Sequence, residues 1–377
     1  MGGKIESRHQ RILQLVRERG TIRVTELAEE LGVSQVTLRR DVAALESVGQ
    51  LRRVQGSVSW PTAPLSARDA RLARAPRVAA PRGLTIGMVV PTGDRYYRLV
   101  LQGAREAALA TGARLRIAIT EYTAERDLPL IDRLLGAGVD GLLLTPSWSA
   151  DGPTFEECAP FAELPVPVVL VERRVPLGLP GAHLDRICSD HAAGAALGVE
   201  HLAALGHERI ALLARQSHTM PHLLRGYHAA TAAFGLPDLA FTPPISAAVG
   251  MDPPDGMESQ TNRLLSLVEN GEIDAAIVHT DADAINLIRR LQALGLTVPQ
   301  DIALVSYDDE LSEVSDVELS ALAPAKRALG RGAVNLLLRR LAEPTARVTR
   351  TELEPELVVR DSCGATLRSP RQPSRRK

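Results

Sequence analysis

The sequence predicts a small winged helix-turn-helix followed by a two-lobed α/β domain built on parallel sheets. Three observations favour this order. Short helical patterns and an alternating hairpin pattern fill residues 1–60, and strand and helix patterns alternate along residues 83–363. Between them, residues 61–82 are rich in Pro, Ala and Arg and have no sustained apolar period, which is typical of a linker.

The composition is that of a globular chain. Its 377 residues are 45% hydrophobic and 24% charged, which favours two or three folded domains over a disordered chain. No apolar run is long enough to cross a bilayer, and the first ten residues lack the apolar core of a secretory signal. Cys158, Cys188 and Cys363 lie far apart without a CxxC pair, so neither a disulfide framework nor a zinc ribbon is expected. A reducing cytoplasm is the expected location.

Positive charge is concentrated at the two ends of the chain. Residues 1–60 carry ten Lys or Arg against seven Asp or Glu, and residues 61–82 carry five against one. Residues 364–377 carry five basic and no acidic residues, and their polar composition predicts a disordered tail. Residues 83–363 therefore hold a net charge of −13. A basic front suits a polyanion such as DNA, which would repel an acidic body.

Three helical patterns open the chain, at residues 8–19, 25–31 and 35–48. Gly32 is a suitable C-cap for the second helix, and the Ser34 hydroxyl is a suitable N-cap for the third. The first helix buries Ile12, Leu15 and Val16, and the third buries Leu38, Val42 and Leu45. The opposite face of the third helix, with Val36, Thr37, Arg40 and Ala44, is left for another partner.

The next stretch, LRRVQGSVSW, alternates apolar and polar residues around Gln55-Gly56 and predicts a two-stranded hairpin. Helix, turn, capped helix and hairpin is the order of a winged helix-turn-helix, whose capped helix can enter the major groove of DNA. The alternative is a small three-helix interaction module. The candidate DNA-contacting residues are Ser34, Gln35, Thr37, Arg39, Arg40, Arg52, Arg53 and Gln55.

The stretch VSQVTLRRDVAALESVGQLRRVQGS resembles the DeoR family of bacterial regulators, over about residues 6–60. That family has a recognition helix of the form VS-x-x-T-(I/L)-RRD and a wing that ends in Arg-x-His-Gly-Gly. The wing here reads Arg53-Val54-Gln55-Gly56-Ser57, so Gln55 and Ser57 depart from the pattern. The resemblance implies operator DNA as a partner.

The body contains two successive series of strands and helices, which predict two parallel-sheet lobes. The first lobe is expected at about 83–184 and 324–345, and the second at about 185–320 and 346–363. The predicted strands are 83–90, 113–120, 140–146, 166–172, 209–214, 274–280 and 301–307, and the predicted helices are 97–110, 126–136, 190–205, 222–234 and 282–294.

Ligands of such sheets bind at the carboxyl ends of the strands, so the residues after each strand are candidates for the site. Those residues are polar or aromatic in a chain with only 3% aromatic residues. Carboxylates and Arg bind hydroxyl or acidic groups, and rings offer stacking surfaces. A structural role in turns is the alternative for each of them. The residues found in this way are Thr92, Asp94, Tyr96, Tyr97, Ser147, Trp148, Glu172, Arg173, His279, Thr280, Asp281, Asp308 and Asp309. The ligand contacts expected among them are Asp94, Tyr96, Tyr97, Trp148, Arg173, Thr280, Asp281 and Asp308.

Three segments resemble the effector domain of the lactose-repressor (LacI/GalR) family, namely HLAALGHERIALL, DADAINLIRRLQALGLTVPQDIALVSYDDE and LSALAPAKRALGRGAVNLLL. The resemblance covers about residues 83–363 and implies a periplasmic-binding-protein-like fold with a small polar effector such as a sugar. It implies ligand contacts at Asp308, Thr280, Asp281 and Asp190. The family usually places an Arg three residues before a Gly-aromatic pair. Here that pair is Gly226-Tyr227 and the position holds Leu223, with Arg225 nearby at a different helical phase.

Catalytic motifs are weak in this sequence. Residues 136–141 match GxGxxG, but they lie between a helix and a strand, the reverse of a phosphate-binding turn. The sequence contains no P-loop, nucleophile elbow or HExxH motif. Asp308 and Asp309 are adjacent at a strand end and so point in different directions, which disfavours shared acid–base work. No enzyme activity, cofactor or metal is predicted.

The sequence as a whole predicts a ligand-responsive, sequence-specific transcriptional repressor. It is expected to act as a cytoplasmic homodimer on a palindromic operator and to sense a sugar, without a membrane partner. Two alternatives stay open, a sugar-processing enzyme and a DNA-binding regulator whose lobes serve only for dimerisation. Leu223 is the feature that supports the second alternative.

Overall fold

The computed structural model describes residues 9, 11–13, 15–16, 21–35, 37–38, 41–42, 45, 52–54, 57–59, 83–93, 95–149, 152–242 and 256–365. The chain divides into two compact units, residues 1–77 and 78–377. Within the described part, no helix is long and apolar enough to span a membrane.

The N-terminal unit contains a three-stranded antiparallel sheet. Its elements are β1 (Thr21–Arg23), α1 (Val24–Glu30), β2 (Arg52–Val54) and β3 (Ser57–Ser59). β3 is the central strand and pairs with both neighbours. The β2–β3 pairing confirms the predicted hairpin, and β1 is an additional strand that precedes α1.

Apolar side chains from all parts of this unit form one core. The described residues of the first and third helical segments bury Ile12, Leu15, Val16, Leu38, Val42 and Leu45 against Leu27 of α1 and against Ile22 and Val58 of the sheet. His9 Nε2 lies 3.2 Å from Asp41 Oδ1, which ties the first helical segment to the third. The predicted inward faces of both helices are therefore confirmed.

The first lobe of the second unit is a six-stranded parallel sheet. Its elements are β4 (Thr85–Val90), α2 (Arg95–Thr111), β5 (Arg114–Ile119), α3 (Asp127–Gly136), β6 (Gly141–Leu144), α4 (Phe155–Ala162), β7 (Val168–Val171) and β8 (Asp185–Ser189), completed by α9 (Lys326–Ala342) and β14 (Arg350–Leu353). The strand order is β14-β8-β7-β6-β4-β5. α2 and α9 cover one face of the sheet, and α3 and α4 cover the other.

The second lobe repeats this plan. Its elements are α5 (His191–Ala204), β9 (Ile210–Ala214), α6 (Met220–Phe234), β10 (Ala240–Phe241), α7 (Gly256–Glu269), β11 (Ala275–His279), α8 (Asp281–Ala293), β12 (Ala303–Tyr307), β13 (Ser320–Ala323) and β15 (Glu356–Val358). The strand order is β10-β9-β11-β12-β13-β15, and only β15 runs antiparallel to its neighbour. α5 and α6 cover one face, and α7 and α8 cover the other.

All seven predicted strands and all five predicted helices of the body are present, so the expected two series of alternating elements are confirmed. The helices are buried along one face and the central strands along their whole length. Central parallel strands are covered by helices on both sides, and therefore read as continuous apolar runs.

The chain crosses between the lobes three times, after β8, after β13 and after β14. These crossings differ from the predicted lobe boundaries. Residues 185–189 and 350–353 pair with strands of the first sheet, whereas the prediction placed them in the second lobe. β8 extends the first sheet beyond β7, the strand that precedes it along the chain, so the first lobe includes one more strand than predicted. β14 then pairs with β8 about 160 residues further along the chain, and a local sequence pattern does not reveal so distant a partner.

Candidate functional site

The third helical segment of the N-terminal unit begins at a side-chain cap. The backbone N–H of Thr37 donates to Ser34 Oγ at 3.2 Å, and the two hydroxyl oxygens lie 2.8 Å apart. Ser34 and Gln35 are exposed, whereas Leu38 is fully buried. The cap predicted at Ser34 is thus confirmed, and the polar start of this segment faces solvent.

The remaining candidate DNA contacts are only partly described. The backbone of Arg52 and Arg53 lies in β2, one strand of the hairpin. The side chains of these two residues lie outside the description. Arg39, Arg40 and Gln55 are also outside the described residues. Their contacts with DNA stay predictions.

In the second unit, a buried polar network surrounds the point where the chain first crosses between the lobes, after β8. Glu172, directly after β7, accepts hydrogen bonds from the Tyr96 hydroxyl at 2.6 Å and from Ser189 Oγ at 2.7 Å. His191 Nε2 lies 3.4 Å from Glu172 Oε2, and His191 Nδ1 lies 2.8 Å from the Tyr307 hydroxyl. Three residues of the first lobe, Tyr96, Glu172 and Ser189, are thereby connected to His191 and Tyr307 of the second.

The Glu172 carboxylate is ionised although it is buried. Burial alone would raise its pKa, but the neighbouring His191 and the hydrogen bonds from Tyr96 and Ser189 outweigh burial and lower the pKa to about 2. Glu172 also has a φ of 54°, in the left-handed region. Strained backbone of this kind is frequent at functional sites, where the surrounding contacts hold it in place.

Lys326 forms a second connection between the lobes, at the start of α9. Its side chain is almost fully buried, and its Nζ lies 3.2 Å from Glu310 Oε1. The same Nζ donates to the backbone carbonyl of Asp308 and lies 5.5 Å from the centre of the Tyr96 ring. The ammonium group therefore lies between the residues that follow β12 in the second lobe and the Tyr96 ring of the first lobe.

Asp308 follows β12 and carries a carboxylate without a hydrogen bond to any described residue. Burial raises its pKa to about 6, although the nearby Lys326 charge acts in the opposite direction. Its φ is 103°. The next residue, Asp309, pairs instead with Arg360 at 2.7 Å, so the two adjacent carboxylates do point apart. Asp308 is free to accept hydrogen bonds from a ligand.

Three other candidate residues hold the ends of elements in place. Asp190 accepts from the Ala193 N–H at 3.0 Å and caps α5. The N–H of Thr280 donates to Asp283 Oδ2 at 3.0 Å at the start of α8. The Asp281 carboxylate accepts hydrogen bonds from Ser306 Oγ and from the backbone N–H groups of Glu310 and Leu311. These contacts shape the strand ends around Asp308.

Two of the candidate rings lie in the core of the first lobe rather than on a stacking surface. Trp148 is 3% exposed, its Nε1 donates to the Glu157 carbonyl, and its ring packs edge-on against Phe161. Tyr97 is buried between α2 and the sheet. The expectation that these two rings offer free faces to a ligand is wrong. Both rings pack into the apolar core of the first lobe instead.

Leu223 and Arg225, both on α6, lie in different surroundings. Leu223 is fully buried among the apolar residues of the second lobe. Arg225 is exposed and makes no hydrogen bond or ion pair with another described residue. The structure therefore does not bring Arg225 into the group around Asp308. Asp94 lies outside the described residues.

Arg173 does lie among the strand ends, and it is 5% exposed. Its Nε donates to the Pro146 carbonyl at 2.6 Å and its Nη1 to the Glu172 carbonyl at 2.9 Å. Its Nη2 is buried and has no hydrogen-bond partner among the described residues. Two backbone carbonyls thus hold the guanidinium in place, and its Nη2 nitrogen is left without a partner among the described residues.

Three histidines complete the site, of which the sequence analysis noted His279 at its strand end and missed His218 and His222. His218 and His222 follow β9, His279 ends β11, and each has a buried ring nitrogen without a described partner. Burial is the main cause that lowers their pKa values, to about 2 for His218, about 3 for His222 and about 4 for His279. The strand-end rule would have found His218 had it been applied to the residues after β9.

Both units match models of known protein domains. A DeoR-like helix-turn-helix domain model matches residues 8–63, and a periplasmic binding protein-like domain model matches residues 199–363. The chain is similar to the arabinose metabolism transcriptional repressor of Geobacillus stearothermophilus, with 25% identity over 362 residues and 89% of each chain covered. It is also 28% identical to the transcriptional repressor PurR of Haemophilus influenzae over 289 residues, which cover 75% of this chain and 82% of the relative.

Solved structures agree with these relatives, which are transcriptional regulators. The complex of the transcriptional regulator CelR with cellobiose is 25% identical, has a TM-score of 0.62, and aligns with 89% of this chain and 98% of its own. A LacI family regulator from Enterococcus faecium with bound ribose shares the fold, at 19% identity and a TM-score of 0.56 over 74% of this chain and 98% of its own. The chain therefore carries a DeoR-like helix-turn-helix domain followed by a periplasmic binding protein-like domain, and the relatives named here are transcriptional repressors.

Proposed function

We propose that this chain is a repressor that binds operator DNA through residues 1–60 and senses a small polar metabolite between the two lobes of residues 83–363. One observation carries the sensing role. Polar groups that make no hydrogen bond with a described residue lie at the carboxyl ends of strands from both lobes. They are the buried Arg173 Nη2 in the first lobe and the carboxylate of the half-buried Asp308 in the second. Unsatisfied buried polar groups are costly, and a ligand would satisfy them.

The contacts between the lobes suggest how the ligand would act. Glu172 and His191 join the lobes at the first crossing, and Lys326 joins them near the second. A ligand that contacts Arg173 and Asp308 together favours the arrangement in which these lobes are close. It changes operator affinity only if it prefers one arrangement over the other.

The assembly and the operator belong to the same proposal. The regulator acts in the cytoplasm as a homodimer on a palindromic operator, because two-fold protein symmetry is matched by two-fold symmetry of the DNA site. Residues 61–82 serve as a linker and 364–377 as a basic tail. The names of the relatives and neighbours, which include arabinose, cellobiose and ribose, support a polyhydroxylated effector.

Fluorescence anisotropy with the DNA that flanks this gene tests the proposal directly. Operator affinity is measured with and without a panel of pentoses, hexoses, their acids and phosphates, and purines. At least one compound is expected to change the dissociation constant about tenfold, which corresponds to about 1.4 kcal/mol of coupling. Identical affinity with every compound would count against a sensing role.

A second candidate is a regulator whose lobes serve only for dimerisation. The burial of Leu223, where relatives usually have a ligand-binding Arg, favours it. Thermal-shift measurements separate the two candidates, because a ligand that binds the folded state raises the melting temperature. No stabilisation by any compound, together with an intact dimer on DNA, would support the second candidate.

A further inference from the structure

Arg173 is a buried cation that forms no ion pair with a carboxylate of the described residues. The two carboxylates beside it accept hydrogen bonds from other groups. Glu172 is bonded to Tyr96 and Ser189 and lies against His191, and Asp127 accepts the backbone N–H of Ser147 at 2.7 Å. Burying a charge without a partner is costly, so such a charge usually marks a place for a counter-ion or a ligand.

The second lobe presents further donors to the same space. The His222 ring stacks on the His191 ring with centroids 6.5 Å apart, and His191 Nε2 lies 3.4 Å from the carboxylate of Glu172, the residue before Arg173. Besides burial, the Arg173 charge also lowers the pKa of His218, although His218 follows β9 of the other lobe. Beside it, His222 is affected by Arg174, His191 and Arg225, and by one carboxylate, Glu172, which is already paired. Burial is the largest cause that lowers the pKa values of His218 and His222, and neighbouring cations act in the same direction. Both rings have a buried nitrogen without a described partner.

We propose that the effector carries an anionic group, a carboxylate or a phosphate, which binds Arg173 Nη2 together with His218 and His222. Its hydroxyl groups bind the Asp308 carboxylate. This inference rests on the proposed sensing function and specifies the chemical class of the ligand. A planar guanidinium with one free donor is well suited to an oxygen of either anion.

A neutral sugar fits the described residues less well. It would leave the buried Arg173 Nη2 without a charged acceptor. The rings that could stack on a sugar face are also occupied, because Trp148 packs on Phe161 and Lys326 lies over Tyr96. Charge, rather than stacking, is the recognition chemistry that the lobes offer.

Isothermal titration of the full chain with matched pairs of compounds tests the proposal. The pairs are D-glucose with D-gluconate, D-glucuronate and glucose 6-phosphate, and D-ribose with ribose 5-phosphate, with inorganic phosphate as the smallest probe. An anionic member is expected to bind at least tenfold more tightly than its neutral parent. A preference within the acids or within the phosphates identifies which anion is the natural group.

Variants show whether the preference comes from these residues. Arg173→Met is expected to abolish it, Arg173→Lys to keep part of it, and His218→Leu to reduce it several-fold. Arg116→Met, which removes an exposed cation of the first lobe, is the matched control and should keep it. Circular dichroism shows whether each variant folds. If Arg173→Met does not fold, the loss of preference in His218→Leu still tests the proposal.

The possible failures are distinguishable. If a neutral sugar binds as tightly as its anionic partners and His218→Leu has no effect, the anionic class is wrong while sensing stands. If no compound binds, inorganic phosphate included, and operator affinity never changes, both the anionic class and the sensing function are wrong.

Discussion

His191 Nε2 lies 3.4 Å from Glu172 Oε2, which places the first residue of α5 against the residue that follows β7. Both side chains are almost fully buried. Electrostatic contacts are stronger in such surroundings than at the surface, because little water screens them. The relative position of the two lobes therefore depends on this pair and on the hydroxyl groups of Tyr96 and Tyr307 that extend it.

Replacing Glu172 is expected to destabilise the second unit in a pH-dependent way. Its pKa in the folded chain is lowered to about 2 from an ordinary 4.5, so its contribution is complete above about pH 4.5 and is lost as the pH falls towards 2. Glu172→Gln should lower the free energy of unfolding by roughly 3 kcal/mol at pH 7. Urea unfolding of both proteins at several pH values measures this difference, which should shrink in acid.

The exposed Glu163 offers the control for that experiment. Glu163→Gln should change stability by less than about 0.5 kcal/mol at any pH, as is usual for a surface position. An equal effect of the two substitutions would mean that the buried pair contributes nothing specific.

His279, which is buried, and the half-buried His218 and His222 should make the second unit sensitive to mild acid. His218, His222 and His279 have pKa values lowered from 6.5, so the unfolded chain binds more protons than the folded one below pH 6.5. Their contribution is complete above pH 6.5 and is lost as the pH falls, by up to about 1.4 kcal/mol per pH unit for each ring. Thermal melting between pH 7.5 and 5 should show this slope.

Removing one ring identifies the source of the slope. His218→Asn should make the decline between pH 6.5 and 5 less steep, whereas the exposed His228 should be replaceable by Asn without that effect. A decline of the same steepness in all three proteins would contradict the assignment of the acid sensitivity to the buried rings.

Gly226 is expected to be intolerant of any side chain. A Cβ at this position would lie 1.9 Å from the carbonyl oxygen of Ala192, because α5 and α6 approach backbone to backbone. Gly226→Ala should therefore destabilise the second unit by at least about 2 kcal/mol, measured by urea unfolding. Gly136→Ala meets no atom within 4 Å and is the control, for which a neutral or slightly stabilising effect is expected.

The basic residues of the N-terminal unit should contribute to DNA binding in two ways. Arg40→Ala is expected to weaken operator binding by about 1–3 kcal/mol and to relax base preference, as for a direct contact to a base. Arg52→Ala and Arg53→Ala should weaken binding to all sequences and reduce the slope of affinity against salt by about one, as for phosphate contacts. Unchanged operator binding in all three variants would remove the recognition-helix assignment.

The repeating elements could be predicted because their signals are local. The continuous apolar runs of the central strands and the inward faces at Leu38, Val42 and Leu45 depend only on neighbouring residues in the chain. The cap at Ser34 was predictable for the same reason. These features therefore agree with the structure.

The features that sequence reasoning missed depend on distant partners. The lobe to which β14 belongs is decided by its pairing with β8, and the inward position of Trp148 is decided by Phe161 of α4. The unused donor of Arg173 becomes visible only when the engagement of every surrounding carboxylate is known. Position at a strand end indicates where a site lies, but not which side chains there remain available.

The three crossings limit how this regulator can be recombined with its relatives. α9 completes the first lobe although it follows β13 of the second, and β15 completes the second although it follows β14 of the first. A chimaera that exchanges a single lobe consequently needs three junctions, at residue 190, at 324–325 and at 354–355. Truncation anywhere before β14 deletes part of both halves, so neither half can be produced as one uninterrupted fragment.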